Sequence, residues 1–297
     1  MMKLLALVLL LSSFSSLTLM EVVKSFENCS SFFVKNPKDQ NAIIVPTVFT
    51  DARYKKICQR WKNNYRFATV YDTVRRIPVY SAYTFSKQVE TTRNDNWKIE
   101  PQLEEIEEYK NKTEMIPPDQ NKIEKIQNQA VNSDYTNIGY TRGHVFPKKY
   151  AANQDQADST FTLTNIAPQT KNSNTEWDKK VEKPMVGVIE RICSLNKDQP
   201  AYIVTGVVPG KEWKFIRRGV KIIKHGISVP SHFWSAFCCT DRNNKKKLVF
   251  RAYLAKLDNF TLETLDIAAL NKQLTKLYKI TFSVFPGLKF ENTEPLF

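Results

Sequence analysis

Between residues 161 and 192 the apolar pattern changes period, and this restricts the fold more than any other feature of the sequence. Residues 161–165 alternate apolar and polar side chains, as a half-buried strand does, and Pro168 should stop that strand. From Thr175 onward, Trp177, Val181, Val188 and Ile192 share one stripe of a helix. Pro184 falls inside that helix and should kink or end it. A chain that passes so quickly from strand to helix needs a sheet with helices packed against it.

The remaining segments agree. Residues 67–85 read as two strands with a turn at 72–75. Residues 202–208 form a buried-type strand closed by Pro209-Gly210, and 229–239 and 247–254 read as further strands. Residues 262–277 have helical spacing, and polar residues 94–133 read as a surface excursion with a short helix. The sum is an α+β fold around a mainly antiparallel sheet with packed helices. No internal repeat or Gly/Ser linker divides 21–297, so one domain is expected there.

Residues 1–20 have the form of a secretory signal: Lys3, an apolar run over 4–11, then small residues over 12–16. The run is well short of the roughly 20 residues a membrane span needs. A secreted, extracellular protein without a stable membrane anchor is expected. Five cysteines suit an oxidising compartment, and the odd number leaves at least one outside any intrachain pair. No Cys-x-x-Cys occurs, which argues against a zinc ribbon. Sequons at Asn28, Asn111 and Asn259 agree with secretion and glycosylation. The formal charge of +14 favours polyanionic partners: nucleic acid, anionic glycans or anionic lipid.

The chemistry concentrates at Arg142-Gly143-His144, followed by Asn165, Asn174 and Glu182. Hydrolysing a phosphodiester needs an activated water, neutralised phosphate charge and a stabilised leaving oxygen. The chain has only three histidines, and His144 is the best candidate base. Asn174 offers a neutral oxygen for a hard cation, or else an N-cap for the helix. Glu182 lies about 80° around an ideal helix from Asn174, where it can hold water or serve as a solvated carboxylate. Arg142 and Arg76 can clamp phosphate oxygens in pairs of hydrogen bonds. Asn165 braces the site or satisfies backbone at a strand end, while His225 and His232 lack partners and are read as structural.

Tyr140-Thr-Arg-Gly-His-Val-Phe-Pro147, Thr162-Leu-Thr-Asn-Ile-Ala-Pro-Gln169 and Asn174 together resemble the DNA/RNA non-specific endonucleases. Within that family the chain is most similar to the vertebrate endonuclease domain-containing 1 group. That likeness rests on Arg76-Ile-Pro-Val-Tyr-Ser-Ala-Tyr83, Ile99-Glu-Pro-Gln-Leu103, Val204-Thr-Gly206 and Pro230-Ser-His-Phe-Trp234. The resemblance covers roughly residues 25–285. It implies a ββα-metal site, with His144 as general base and Asn174 as the direct protein ligand of Mg²⁺, for which Mn²⁺ can substitute. Glu182 would orient water on the metal, Arg142 would support the phosphate, and Arg76 would stabilise the transition state. The phosphate would stay on the 5′ side. The family often has Asp before Arg-Gly-His, where this chain has Thr141, and Pro184 disturbs the helix that should carry Glu182.

Two functions are therefore expected to compete. One is a secreted, metal-dependent endonuclease that grips DNA or RNA by its phosphates with little base preference. The other is a nuclease-fold protein that binds nucleic acid or anionic glycans with weak or no catalysis.

Overall fold

The computed structural model describes residues 21–290 apart from Asn137 and Lys197, so the expected leader at 1–20 lies outside the described residues. Twelve strands run through it: β1 (Val22–Val23), β2 (Val34–Asn36), β3 (Asp39–Ile44), β4 (Tyr54–Trp61), β5 (Asn64–Asp72), β6 (Ile77–Phe85), β7 (Thr141–His144), β8 (Ile166–Gln169), β9 (Ala201–Arg218), β10 (Lys221–Thr240), β11 (Leu248–Lys256) and β12 (Thr261–Leu265). The helices are α1 (Gln154–Ser159), α2 (Lys171–Trp177), α3 (Lys183–Ile192) and α4 (Ile267–Tyr278), with a π-turn at Asp178–Glu182 joining α2 to α3.

Eight strands build one sheet in the order β1-β4-β5-β6-β9-β10-β11-β12, every pair antiparallel. Both its faces are covered. Ile203, Val207, Phe233 and Phe237 pack towards α2 and α3, whereas Val204, Val208, Trp234 and Ala236 pack towards α4. Successive strand side chains point to opposite faces, so burial on both sides produces the continuous apolar runs of the central strands. The Cys193–Cys239 disulfide ties the end of α3 to β10, and Cys29–Cys58 ties the N-terminal segment to β4. Cys238 is free and buried. The sequon asparagines Asn28, Asn111 and Asn259 are all exposed.

The turn between β5 and β6 lies at the expected place. Asp72 Oδ1 accepts from the backbone N–H of Val74 and Arg75, both at 3.0 Å, and Arg76 leaves the turn at φ 54°. Other expectations need correction. Leu163–Asn165 is a 3₁₀ turn, and the strand follows it at Ile166–Gln169 with Pro168 inside. A two-stranded ribbon has only edge strands, which tolerate a residue without an N–H.

Nor does Pro209 end its strand. It pairs with Pro230 across a bulged stretch, so two residues without an N–H face each other and β9 continues to Arg218. Thr261–Leu265 is an edge strand; Asp266 then caps α4 by accepting from Ala269 N at 2.7 Å.

Residues 94–133 are more than a surface excursion. Ile99, Ile106, Tyr109, Ile126 and Val131 form a small core of their own. Glu104, drawn from the acidic run, turns inward to accept from Gln127 and Asn128 N–H. Glu100 lies against Glu21, both fully buried, with Glu100 Oε1 also accepting from Thr162 and Thr164 hydroxyls at 2.6 and 3.0 Å. Burial holds both carboxyl groups above the ordinary glutamate range, and two carboxylates in contact cannot both ionise, so they share a proton. A raised folded-state pKa gives stability that is present below the unfolded value and lost as pH rises through the folded one. The melting temperature should therefore fall as pH rises above the ordinary glutamate value of about 4.3, more steeply in wild type than in Glu21→Gln. Thermal melts at a series of pH values above that point check this, and parallel curves would contradict it.

Candidate active site

The two-stranded ribbon places the Arg-Gly-His segment. Strand β7 runs antiparallel to β8 with Thr141 opposite Gln169, Arg142 opposite Pro168, Gly143 opposite Ala167 and His144 opposite Ile166. Glycine at 143 leaves room for the Gln169 side chain, since a Cβ there would sit 2.1 Å from Gln169 Oε1 and force that side chain to move. The chain then enters α2, capped by Thr170, whose Oγ1 accepts from Ser173 N at 3.0 Å. Asn174 is thus not the N-cap; it stands one turn inside the helix. Its Nδ2 donates to Thr141 Oγ1 at 2.9 Å, and that hydroxyl donates to Gln169 O at 2.9 Å. A hydroxyl that has given its proton to a carbonyl can only accept from the amide. Thr141 therefore fixes which end of Asn174 faces it and leaves Oδ1 without a protein partner among the described residues.

Beyond α2 the helix neither ends nor breaks at Pro184. Lys183 N reaches back five residues to Asp178 O, and the widened turn absorbs the missing proline N–H. Asn174, Asp178 and Glu182 consequently line one cleft of about 830 Å³ with Arg142 and His144. Glu182 is nearly buried, and burial raises its pKa despite Lys149 Nζ at 3.1 Å. Lys149 also pairs with Asp178, whose other oxygen lies 2.9 Å from Lys183 Nζ, so two ammonium groups balance the two carboxylates.

His144 packs between Trp97 and Phe161, ring centroids 5.7 and 5.0 Å away. Its Nε2 is buried without a partner, so the hydrogen bond to the Arg142 backbone falls on Nδ1. A ring that spends Nδ1–H on a carbonyl keeps the Nε2 lone pair free. Desolvation, helped by the Arg93 charge, lowers its pKa to about 4. Arg142 stacks near Trp97 and Tyr135 and donates one N–H to Asn132 O at 3.0 Å, while its Nε has no partner.

Arg76 is not brought to this cleft. Its guanidinium, nearly buried, donates to the carbonyls of Gln127, Val74, His225 and Gly226, tying the β5–β6 turn to the 94–133 segment and β10. The expectation of a phosphate clamp at Arg76 is corrected on its placement: it is absent from the residues lining the cleft, and its Nε and Nη1 are committed to these carbonyls. Arg93, Asp95, Trp97, Lys149 and Asp178 line the cleft but were not singled out from sequence. Asp178 had a legible signal, since Asn174, Asp178 and Glu182 follow an i, i+4, i+8 stripe. Arg93 and Lys149 had none, because tertiary folding alone brings them in.

The match to the family model of the DNA/RNA non-specific endonucleases spans residues 47–295. The chain belongs to that family. Among its relatives, the human endonuclease domain-containing 1 protein is 32% identical and the mouse protein 29%, each over 218 residues, or 72% of this chain. The aligned part is 39% of those relatives' length. The solved structure of the EndoG/EndoGI complex aligns with 80% of this chain and 85% of that one, at 18% identity and a TM-score of 0.46.

Two outcomes follow. With three histidines in the chain, the His144 ring should be resolvable by NMR and titrate near pH 4, holding its base form at neutral pH. A midpoint near 6.5, the ordinary value, would contradict the desolvated placement. Arg76→Ala should orphan several buried carbonyls and cost about 2–4 kcal/mol in a denaturant melt.

Proposed function

We propose that this chain is a secreted, metal-dependent, sequence-tolerant endonuclease acting on DNA, RNA or both. The observation that carries the reading is the convergence of a partner-free His144 Nε2 and a partner-free Asn174 Oδ1 on one cleft that also holds Arg142. Family membership supports phosphodiester substrates, and a charge of +14 supports binding to their phosphates. Among the described residues no helix is long and apolar enough to cross a membrane, and the two disulfides agree with an oxidising compartment.

The donor set fits a hard divalent cation. Among the described residues no cluster of three His, Cys, Asp or Glu side chains could cage a metal. One neutral amide oxygen suits Mg²⁺, which keeps most of its own waters, and Mn²⁺ can substitute. Asn174 would hold the ion, with Glu182 and Asp178 near enough to the same cleft to order its surroundings. When bound, the ion would supply charge neutralisation at the scissile phosphate and leaving oxygen.

The chain's own residues supply the rest. Water attacks phosphorus as His144 Nε2 takes its proton; the new P–O bond forms and the bond to the 3′ oxygen breaks, so the phosphate stays on the 5′ side. A base at pKa about 4 is weak, but an entering phosphodiester anion favours the charged ring and raises that value. Arg142, held by two aromatic rings and one carbonyl, keeps free N–H groups for a phosphate oxygen. Plasmid digestion with Mg²⁺ should be abolished by EDTA and fall about 10²–10⁴-fold in His144→Ala. Equal cutting by that variant would remove His144 from the mechanism, and intact plasmid with bound protein would favour a binding role.

A further inference from the structure

Strands β9 and β10 run on past the sheet as a two-stranded arm, Lys211–Ser228, closed by a two-residue turn at Gly219-Val220. Gly219 has φ +60°, as the first position of such a turn requires. One face of the arm is anchored. Ile216 is buried, and Arg218 pairs with Asp134 at 2.6 Å and donates to Ile126 O. Lys214 lies 4.7 Å over the Tyr140 ring, and the Tyr140 hydroxyl donates to Glu212 at 2.9 Å. Tyr140 also lines the His144 cleft, so the arm stands directly beside it.

The opposite face has no partner. Trp213, Phe215 and Arg217 alternate onto it, and Ile222 joins them opposite Arg217. Trp213 lies tilted against His225, ring centroids 5.1 Å apart. Phe215 is 56% and Ile222 51% exposed, although large apolar side chains are rarely left so open in this chain. The charges around them are Lys211, Arg217, Lys221 and Lys224, and none of the four makes an ion pair among the described residues. Glu212 is the one acidic residue between 211 and 228, and Lys214 neutralises it at 2.7 Å. The Glu124 carboxylate sits against Gly219 at the tip of the arm, so the cations in excess lie along its length; an anchored ribbon with exposed rings and spare cations matches a polyanion that carries stackable bases.

We propose that the outer face of this arm is a docking ribbon for single-stranded nucleic acid, stacking bases on Trp213 and Phe215 while Arg217 and Lys224 meet the phosphates, and so feeds the strand past Tyr140 into the cleft. The proposal rests on the nuclease reading for the identity of its partner. An anionic membrane would meet the same cations, but aromatic rings exposed on an anchored ribbon beside the cleft suit bases better than acyl chains.

Binding of a fluorescein-labelled oligonucleotide by the full protein in EDTA tests it apart from catalysis. Trp213→Ala/Phe215→Ala should weaken binding by about tenfold or more. Arg217→Gln/Lys224→Gln should lower the salt slope of log K by about 1.4. Hydrolysis of bis(p-nitrophenyl) phosphate with Mg²⁺, a substrate too small to reach the arm, should be unchanged in both variants. Unaltered oligonucleotide affinity and slope would overturn the proposal. So would loss of binding to phosphatidylserine vesicles with oligonucleotide binding intact. Arm-dependent binding by a wild type that hydrolyses nothing would sustain the ribbon and refute the nuclease reading alone.

Discussion

A single buried amide holds the candidate site to the rest of the molecule. Asn165 Oδ1 accepts from Phe146 N at 2.8 Å and from the Ser81 hydroxyl at 3.0 Å, while Nδ2 donates to the carbonyls of Phe146 and Thr160. Each bond is worth only about 1 kcal/mol net, yet a partner left unpaired in this fully buried place would cost more. The four together staple the end of the β7 segment and the start of β8 to β6 in the main sheet. A two-stranded ribbon is marginal alone, so the positions of His144 and Asn174 depend on that staple.

From the staple outward, the site is built by removing alternatives. Gly143 lets Gln169 pass beneath the ribbon. Thr141, with its proton spent on Gln169, can only accept from Asn174 and so turns the amide oxygen away from the protein. The neutral Thr141 thus sets Asn174 by hydrogen bonding without adding a carboxylate beside His144. The π-turn keeps the next helical stretch in register with the cleft in spite of Pro184, and Lys149 with Lys183 balances the two carboxylates it presents.

Much of this was legible in the sequence, and for physical reasons. Burial on both faces gives β9, β10 and β11 their apolar runs, and Asp72 writes the turn between β5 and β6. The site segment was recognisable because few sequences need glycine between arginine and histidine. The differences share a cause: proline reads as a terminator at 168, 184 and 209, whereas an edge ribbon, a π-turn and a bulge each remove the need for its N–H. Arg76 was misplaced because its carbonyl partners outside its own turn come from two distant segments, Gln127 and His225-Gly226. The buried Glu21–Glu100 pair was hidden likewise, since composition cannot tell an inward glutamate from a solvated one.

The central claim is that one cleft presents a free Asn174 oxygen to a divalent cation beside a free His144 nitrogen. Anomalous scattering from crystals soaked in Mn²⁺ tests it most directly. The account predicts a peak at Asn174 Oδ1 in the His144 cleft, lost in Asn174→Ala. A peak elsewhere, or one that survives that substitution unchanged, would contradict it.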